Sequence, residues 1–114
     1  MNDCIFCKIV KKEIPANIVN ENDDFIAFED IEAVAPVHLL CIPKTHTKDF
    51  LDYPSSDMAK MSEFIKDTAK KLNLNDKGFR LIANTKEDSG QTVFHLHFHL
   101  IGGGKLKWDK LTNI

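Results

Sequence analysis

Three of the chain's five histidines fall within five residues, His95-Leu96-His97-Phe98-His99. A neutral imidazole is nucleophilic near pH 7, because its ordinary pKa is about 6.5. On a strand, alternate side chains share a face. The three imidazoles then share one face, and Leu96, Phe98 and Leu100 the other. The apolar face belongs on a core. Histidine is a poor filler for an ordinary sheet face, so the second face points to binding or catalysis. Neighbouring positions on one face lie about 6.8 Å apart, which puts His95 and His99 about 13 Å apart. Two adjacent members can share one metal ion, but not comfortably all three. The three must divide their roles.

The segment before them carries its own chemistry. Asn84 ends a strand pattern, and Ser89-Gly90-Gln91-Thr92 follows. Small and amide-bearing residues let backbone N–H groups and hydroxyls approach an anion closely. Such a loop is a plausible phosphate cradle, or a plain turn. Far upstream, Cys4 and Cys7 form a Cys-x2-Cys pair, which supplies two thiolates of a tetrahedral zinc site. Two histidines would complete it. The third cysteine, Cys41, sits in an apolar run and reads as an inert core thiol.

These residues need elements to position them. Cys4 to Lys12 reads as a short helix, with Asp3 as a possible cap and Ile5, Phe6 and Ile9 as an apolar stripe. Asn17 to Asn20 and Phe25 to Glu29 read as strands around the polar turn 21–24. Val37 to Ile42, closed by Pro43, is the strongest candidate for a central strand. Pro54-Ser55-Ser56-Asp57 starts a helix on which Met58, Met61, Phe64, Ile65, Ala69 and Leu72 recur at spacings of three and four. Gly78 to Ala83 is a further strand, and His95 to Ile101 the last, ended by Gly102-Gly103-Gly104. The order suggests an α+β domain with an antiparallel sheet.

Composition bounds the function. The 114 residues suit one domain, 1–114, with 105–114 as a tail. A chain this short has little room for a deep private cleft. Its 15 Lys plus Arg against 17 Asp plus Glu give a formal net charge of −2. No basic face for a nucleic-acid polymer is visible. No apolar run is long enough to span a membrane, and Met1-Asn2-Asp3-Cys4 does not read as a leader. An odd number of cysteines without an export signal fits a reducing cytoplasm.

His95-Leu96-His97-Phe98-His99-Leu100-Ile101 resembles the signature of the histidine-triad (HIT) family, His-φ-His-φ-His-φ-φ with φ apolar. Asn84 and Gly90-Gln91-Thr92-Val93 match upstream. So do Cys4-Ile5-Phe6-Cys7-Lys8-Ile9, Phe28-Glu29-Asp30-Ile31, Ala35-Pro36-Val37-His38 and Ile42-Pro43-Lys44-Thr45-His46. The likeness is strongest to the branch of histidine-triad nucleotide-binding proteins. It implies a five-stranded antiparallel sheet with one long and one short helix, in homodimers whose sheets join across a two-fold axis. It also implies a hydrolase that cleaves nucleoside 5'-phosphoramidates, or related α-phosphate derivatives, to purine nucleoside monophosphates.

By that resemblance His97 is the nucleophile and forms a nucleotidyl-imidazole intermediate. His99 would contact the phosphoryl oxygens, and His38 would support the catalytic imidazole. Thr92 stands where the family usually has Ser and would assist the leaving group. Asn84 and the N–H groups of Gly90, Gln91, Thr92 and Val93 would hold phosphate, and Asp30 the ribose. Phe6, Ile9, Phe28 and Ile31 fall where the family lines its base pocket. Trp108 falls where an aromatic reaches toward the partner's site. Between Asn84 and Gly90 the family often has more glycine, whereas this chain has Thr85-Lys86-Glu87-Asp88.

Some bacterial histidine-triad proteins, and the related galactose-1-phosphate uridylyltransferases, are similar in binding structural zinc through a set matching Cys4, Cys7, His46 and His95. No metal is needed for the chemical step. Two other readings stand beside the enzyme. One is a nucleotide-binding sensor or scaffold with weak catalysis. The other is a metallohydrolase using the His-x-His pair, which lacks a local third ligand.

Overall fold

The computed structural model describes residues 3–108. The expected tail after Trp108 and the first two residues lie outside that range. Five strands form one antiparallel sheet: β1 (Ile18–Glu21), β2 (Phe25–Glu29), β3 (Val37–Pro43), β4 (Phe79–Ala83) and β5 (Phe98–Gly102). Their spatial order is β1-β2-β3-β5-β4. β3 is central, as expected, and the strand carrying His99 lies beside it, paired with both β3 and the edge strand β4. A six-residue helix, α1 (Ile5–Val10), and a 17-residue helix, α2 (Ser55–Lys71), flank the sheet, with short 3-10 turns at Phe50–Asp52 and Glu87–Ser89.

The period-2 pattern sorts the strands into two faces. Phe25 and Ala27 of β2, Leu39 and Cys41 of β3, and Phe98 and Leu100 of β5 share a buried cluster with Met61, Phe64, Ile65 and Ala69 of α2. The residues between them face the other way. Ile26, Phe28, Leu40 and Ile42 pack with Phe6 and Ile9 of α1. The sheet thus lies between two helices of unequal length. Met58 and Leu72, the ends of the α2 stripe, pack only partly buried against the first cluster.

Both helices stop where a non-glycine residue turns left-handed. Lys12 (φ 63°) follows α1, and the N–H groups of Lys12 and Glu13 bond the carbonyls of Ile9 and Lys8. Asn73 (φ 59°) follows α2, and the N–H groups of Asn73 and Leu74 bond the carbonyls of Lys70 and Ala69. Each closes the carbonyls that the helix leaves open.

Most boundaries differ from those expected by one or two residues, and two of the differences bear on the site. Helix α1 starts one residue after Cys4, and Cys4 rather than Asp3 caps it, its Sγ accepting from the Cys7 N–H at 3.4 Å. Strand β5 begins at Phe98 rather than His95. The Leu96 N–H instead bonds the Thr47 carbonyl at 2.7 Å, which draws residues 95–96 toward the segment after β3. His95 therefore leaves the strand, while the face expected for His99 is kept.

Candidate active site

His99 lies on the β5 face opposite the α2 cluster, between Leu40 of β3 and Ile82 of β4 in register. His97 sits just before the strand, its ring centroid 5.2 Å from that of His99. His38, near the start of β3, stacks at 5.1 Å from His99 in a tilted arrangement. The three rings thus form one contiguous group, with His38 and His99 61 positions apart in sequence.

Their partners set their tautomers. His97 Nδ1 lies 2.8 Å from the carbonyl oxygen of His95. A carbonyl only accepts, so Nδ1 carries the proton and Nε2 carries the lone pair. The Val34 N–H donates to His38 Nδ1 at 3.1 Å, so His38 must be protonated at Nε2. That Nε2–H faces His99 Nδ1 at 2.9 Å, with Asp30 Oδ2 at 3.3 Å as a second acceptor. His99 Nδ1 is then an acceptor, and the proton of a neutral His99 sits on Nε2. One backbone N–H, at Val34, therefore dictates the polarity of a chain that ends in a donor on His99.

Burial keeps this group neutral. It lowers the pKa of His97, partly opposed by the bond to the His95 carbonyl and by the charge of Asp30. His99 is pushed down to about 4, by burial first and then by His97 and His38, with Asp30 opposing. Burial also lowers His38, again against Asp30. The arrangement can present a lone pair on His97 beside a neutral N–H donor on His99.

The ligand atoms of Asp30, His38 and His99 lie within 4.8 Å of one another. Their hydrogen bonds argue against a metal there. A metallated His38 Nε2 would force the ring proton onto Nδ1, against the Val34 N–H.

A second group lies on the other side of His97. The ligand atoms of Cys4, Cys7, His46 and His95 also lie within 4.8 Å of one another. His95 Nδ1 is 3.4 Å from Cys4 Sγ and 3.5 Å from Cys7 Sγ, and His46 Nδ1 is 3.3 Å from Cys7 Sγ. Ligands about 2.0–2.3 Å from a tetrahedral ion stand about 3.3–3.8 Å from each other, so these spacings suit one. His95 Nε2 donates to the Pro43 carbonyl at 2.8 Å, which leaves Nδ1 as the ligating atom. Burial raises the Cys4 thiol, and a bound cation would offset that cost. The four fit a divalent ion of zinc type. Cys41 lies elsewhere, fully buried, its thiol pushed up to about 12.

The loop between β4 and β5 is tied down by a side chain. The amide of Gln91, 5% exposed, accepts from the Lys86 N–H and donates to the carbonyls of Lys48 and Val93. Those bonds occupy the Gln91 side chain, and its N–H and that of Gly90 are taken too, by the carbonyls of Lys86 and Glu87 at 3.3 and 2.9 Å, so neither is the free phosphate donor expected. Lys86 takes φ 65° and ψ −174°, a conformation suited to glycine. Asn84 is half-buried, and Thr92 is exposed. Thr92, Val93 and Phe94 line an open hollow of about 610 Å³ with Ile5, His46 and Lys48. Of the apolar residues, Phe6, Ile9 and Phe28 sit in the α1 core cluster. The Phe6 ring meets His97 edge-on at 5.1 Å. Ile31 is different: it is 99% exposed. Trp108 is 79% exposed.

The family model described as HIT domain matches residues 11–106. The chain belongs to the HIT domain family. An uncharacterised HIT-like protein of Rickettsia prowazekii is 44% identical to it over 106 residues, covering 90% of this chain and 88% of that one. The crystal structure of a HIT family hydrolase from Legionella pneumophila superposes with a TM-score of 0.88 at 40% identity, covering 93% of this chain and 97% of that one. A histidine triad protein from Clostridium difficile also gives 0.88, at 42% identity, covering 94% and 96%. Among the described residues of this HIT domain, no helix is long and apolar enough to cross a membrane.

Sequence reasoning missed the backbone partners that orient the HIT histidines: the Val34 N–H and the carbonyls of Pro43 and His95. Backbone groups are the same at every position, so no residue type signals them. Gln91 was visible as a site residue, but its internal bonding was not.

Proposed function

We propose that this HIT protein hydrolyses nucleoside 5'-phosphoramidates, or related α-phosphate derivatives, through a covalent intermediate on His97. The observation that carries the reading is the bond from His97 Nδ1 to the His95 carbonyl, which leaves a neutral Nε2 lone pair. The hydrolase named among its structural neighbours agrees.

In the first step Nε2 attacks the α-phosphorus. A P–N bond to the ring forms as the bond to the leaving amine breaks. The amine departs with a proton relayed from solvent through the Thr92 hydroxyl, into the hollow that Thr92 lines, and the attacking water of the second step returns a proton to solvent. In the second step water attacks the same phosphorus. The ring–phosphorus bond breaks, the nucleoside monophosphate leaves and His97 is restored. Two displacements replace one difficult hydrolysis. His99 Nε2–H donates to a phosphoryl oxygen, and the backbone N–H groups of Thr92 and Val93 hold the others with Asn84. Asp30 retains lone pairs for the ribose hydroxyls. Phe6, Ile9 and Phe28 wall the purine, and the uncovered Ile31 closes over it.

The Cys4, Cys7, His46 and His95 set holds a structural Zn2+ that ties α1 to the sheet. The protein works as a homodimer joined at β4. That edge strand leaves Phe79 and Leu81 39% and 43% exposed on the α2 face. The Lys107 carbonyl is held to β4 by Arg80 Nη2, which brings residue 107 to this edge. The cytoplasm is the expected compartment.

The test is turnover of an adenosine 5'-phosphoramidate, followed by phosphorus NMR. Wild type releases the monophosphate, and His97→Ala loses about 10⁴-fold or more. Activity that survives the substitution overturns the mechanism. Tight monophosphate binding with no turnover by wild type replaces the enzyme with a nucleotide sensor.

A further inference from the structure

One peptide unit lies between the candidate metal cluster and the nucleophile. Its C=O belongs to His95 and accepts from His97 Nδ1 at 2.8 Å. Its N–H belongs to Leu96 and donates to the Thr47 carbonyl at 2.7 Å. A trans peptide is rigid, so its C=O and N–H cannot turn independently. Both of its anchor points adjoin metal-ligating residues. On one side the His95 ring faces Cys4 and Cys7 through Nδ1. On the other, Thr47 directly follows His46, whose Nδ1 faces Cys7. The rings of His46 and His95 meet edge-to-face at 4.9 Å.

We propose that an ion held by Cys4, Cys7, His46 and His95 positions His97, by clamping segments 46–47 and 95–96 so that the peptide between His95 and Leu96 keeps its carbonyl on His97 Nδ1. The cluster then does more than fasten α1. With both histidines ligated, residue 95 cannot shift relative to residue 47, and the peptide plane is fixed at both ends. Without the ion, the two segments keep the Leu96–Thr47 and His95–Pro43 bonds and the longer thiol–imidazole contacts of 3.3–3.5 Å, which fix the rings less rigidly than shared ligation would. The His97 ring can then lose its acceptor and place its proton on Nε2, where the nucleophilic lone pair is needed. His95 and His46 are positioning residues in this scheme, since neither touches the substrate.

The proposal rests on His97 as nucleophile, and the experiment separates the two. The full chain is prepared loaded with Zn2+ and, separately, stripped with a chelator. The His97 tautomer is read by nitrogen-15 NMR at one fixed, mildly alkaline pH, with far-ultraviolet circular dichroism as the check on folding. His46→Asn, at an exposed position, and His95→Asn are measured alongside. The expected result is an Nδ1–H tautomer in the loaded protein and a shift toward Nε2–H in the stripped protein and both variants. The corresponding kcat falls about 10- to 100-fold, the usual cost of losing a partner that orients a ligand. The dissociation constant for the monophosphate and KM stay within about twofold, because only the transition state uses the lone pair. Restoring Zn2+ to the stripped wild type restores the tautomer. An unchanged His97 tautomer after stripping, whether or not α1 loosens, overturns the proposal. So does a stripped protein with full kcat. If loaded wild type turns over no phosphoramidate, the activity reading fails, yet the NMR arm still decides the coupling.

Discussion

Replacing His38 by Leu and by Gln separates the shape of the side chain from the polarity it transmits. His38 is 4% exposed and sits between the Val34 N–H and His99 Nδ1. Leucine fills the space but removes both bonds. Each partner left without a bond costs about 1–3 kcal/mol, so His38→Leu should lose about 2–5 kcal/mol of stability. For a domain near 100 residues that lowers Tm by roughly 10–20 °C. It also frees His99 to carry its proton on Nδ1, so a phosphoryl oxygen loses its donor. A hydrogen bond to a charged group is worth about 1.5–3 kcal/mol, hence kcat/KM should fall about 10- to 100-fold. Glutamine behaves differently. Its amide oxygen can accept from Val34 and its NH2 can donate to His99, which rebuilds the same polarity. His38→Gln should therefore keep kcat/KM within about tenfold of wild type and stay within about 1 kcal/mol in stability. Thermal unfolding and phosphoramidate turnover of the three proteins are the assays. Equal damage from Gln and Leu, or a Leu variant as active as wild type, refutes the idea that Val34 sets the donor on His99.

Other perturbations follow from the same geometry. Lowering pH should destabilise the protein between about 6.5 and about 4: unfolded imidazole titrates near 6.5 while folded His99 titrates near 4, so the unfolded chain takes up more protons across that window. Stability should be flat in this respect above it. Urea unfolding at several pH values checks the slope, and an identical slope in His99→Asn would count against His99 as its source. Gly103→Ala should cost more than Gly90→Ala. Both need positive φ, but a Cβ on Gly103 would meet Val37 Cγ2 at 3.0 Å, whereas nothing lies within 4 Å of one on Gly90. Gly90→Ala should lose about 1 kcal/mol and Gly103→Ala roughly 2 or more by chemical denaturation; a reversed order would show that the Pro36–Val37 contact yields freely. Leu81→Glu on the edge strand β4 should halve the mass measured by sedimentation, and a dimer that survives it joins by another face.

Most of the fold is legible in the residues, and the reasons are local. The α2 stripe of Met61, Phe64, Ile65 and Ala69 shows its period of 3.6, and it is the buried face of the helix. The alternation of Phe98 with His99, or of Leu39 with Leu40, marks the two sides of a sheet and needs no knowledge of what covers them. The Cys-x2-Cys pair is visible because metal chemistry demands residue types that rarely serve otherwise. Where reading along the chain failed, the competing interaction came from far away. His95 obeys the alternation in sequence yet leaves the strand, because Leu96 bonds Thr47, 49 positions earlier. Gln91 looks like a ligand-facing amide, but carbonyls of Lys48 and Val93 take its protons. Ile31 is expected with Phe6, Ile9 and Phe28 in a base pocket, yet it is 99% exposed while those three are buried.

The amino-acid sequence by itself determined which chemistries are available. Three closely spaced imidazoles, two thiols one turn apart and a carboxylate before a proline loop are fixed by residue type, and type limits what can attack, ligate or accept. Tertiary structure decided which nitrogen does each task. A histidine has two ring nitrogens of equal standing in the unfolded chain. Only the approach of the Val34 N–H to His38 and of the His95 carbonyl to His97 makes them unequal. That choice depends on packing β3, β5 and the segment before it against one another, and periodicity carries no record of it.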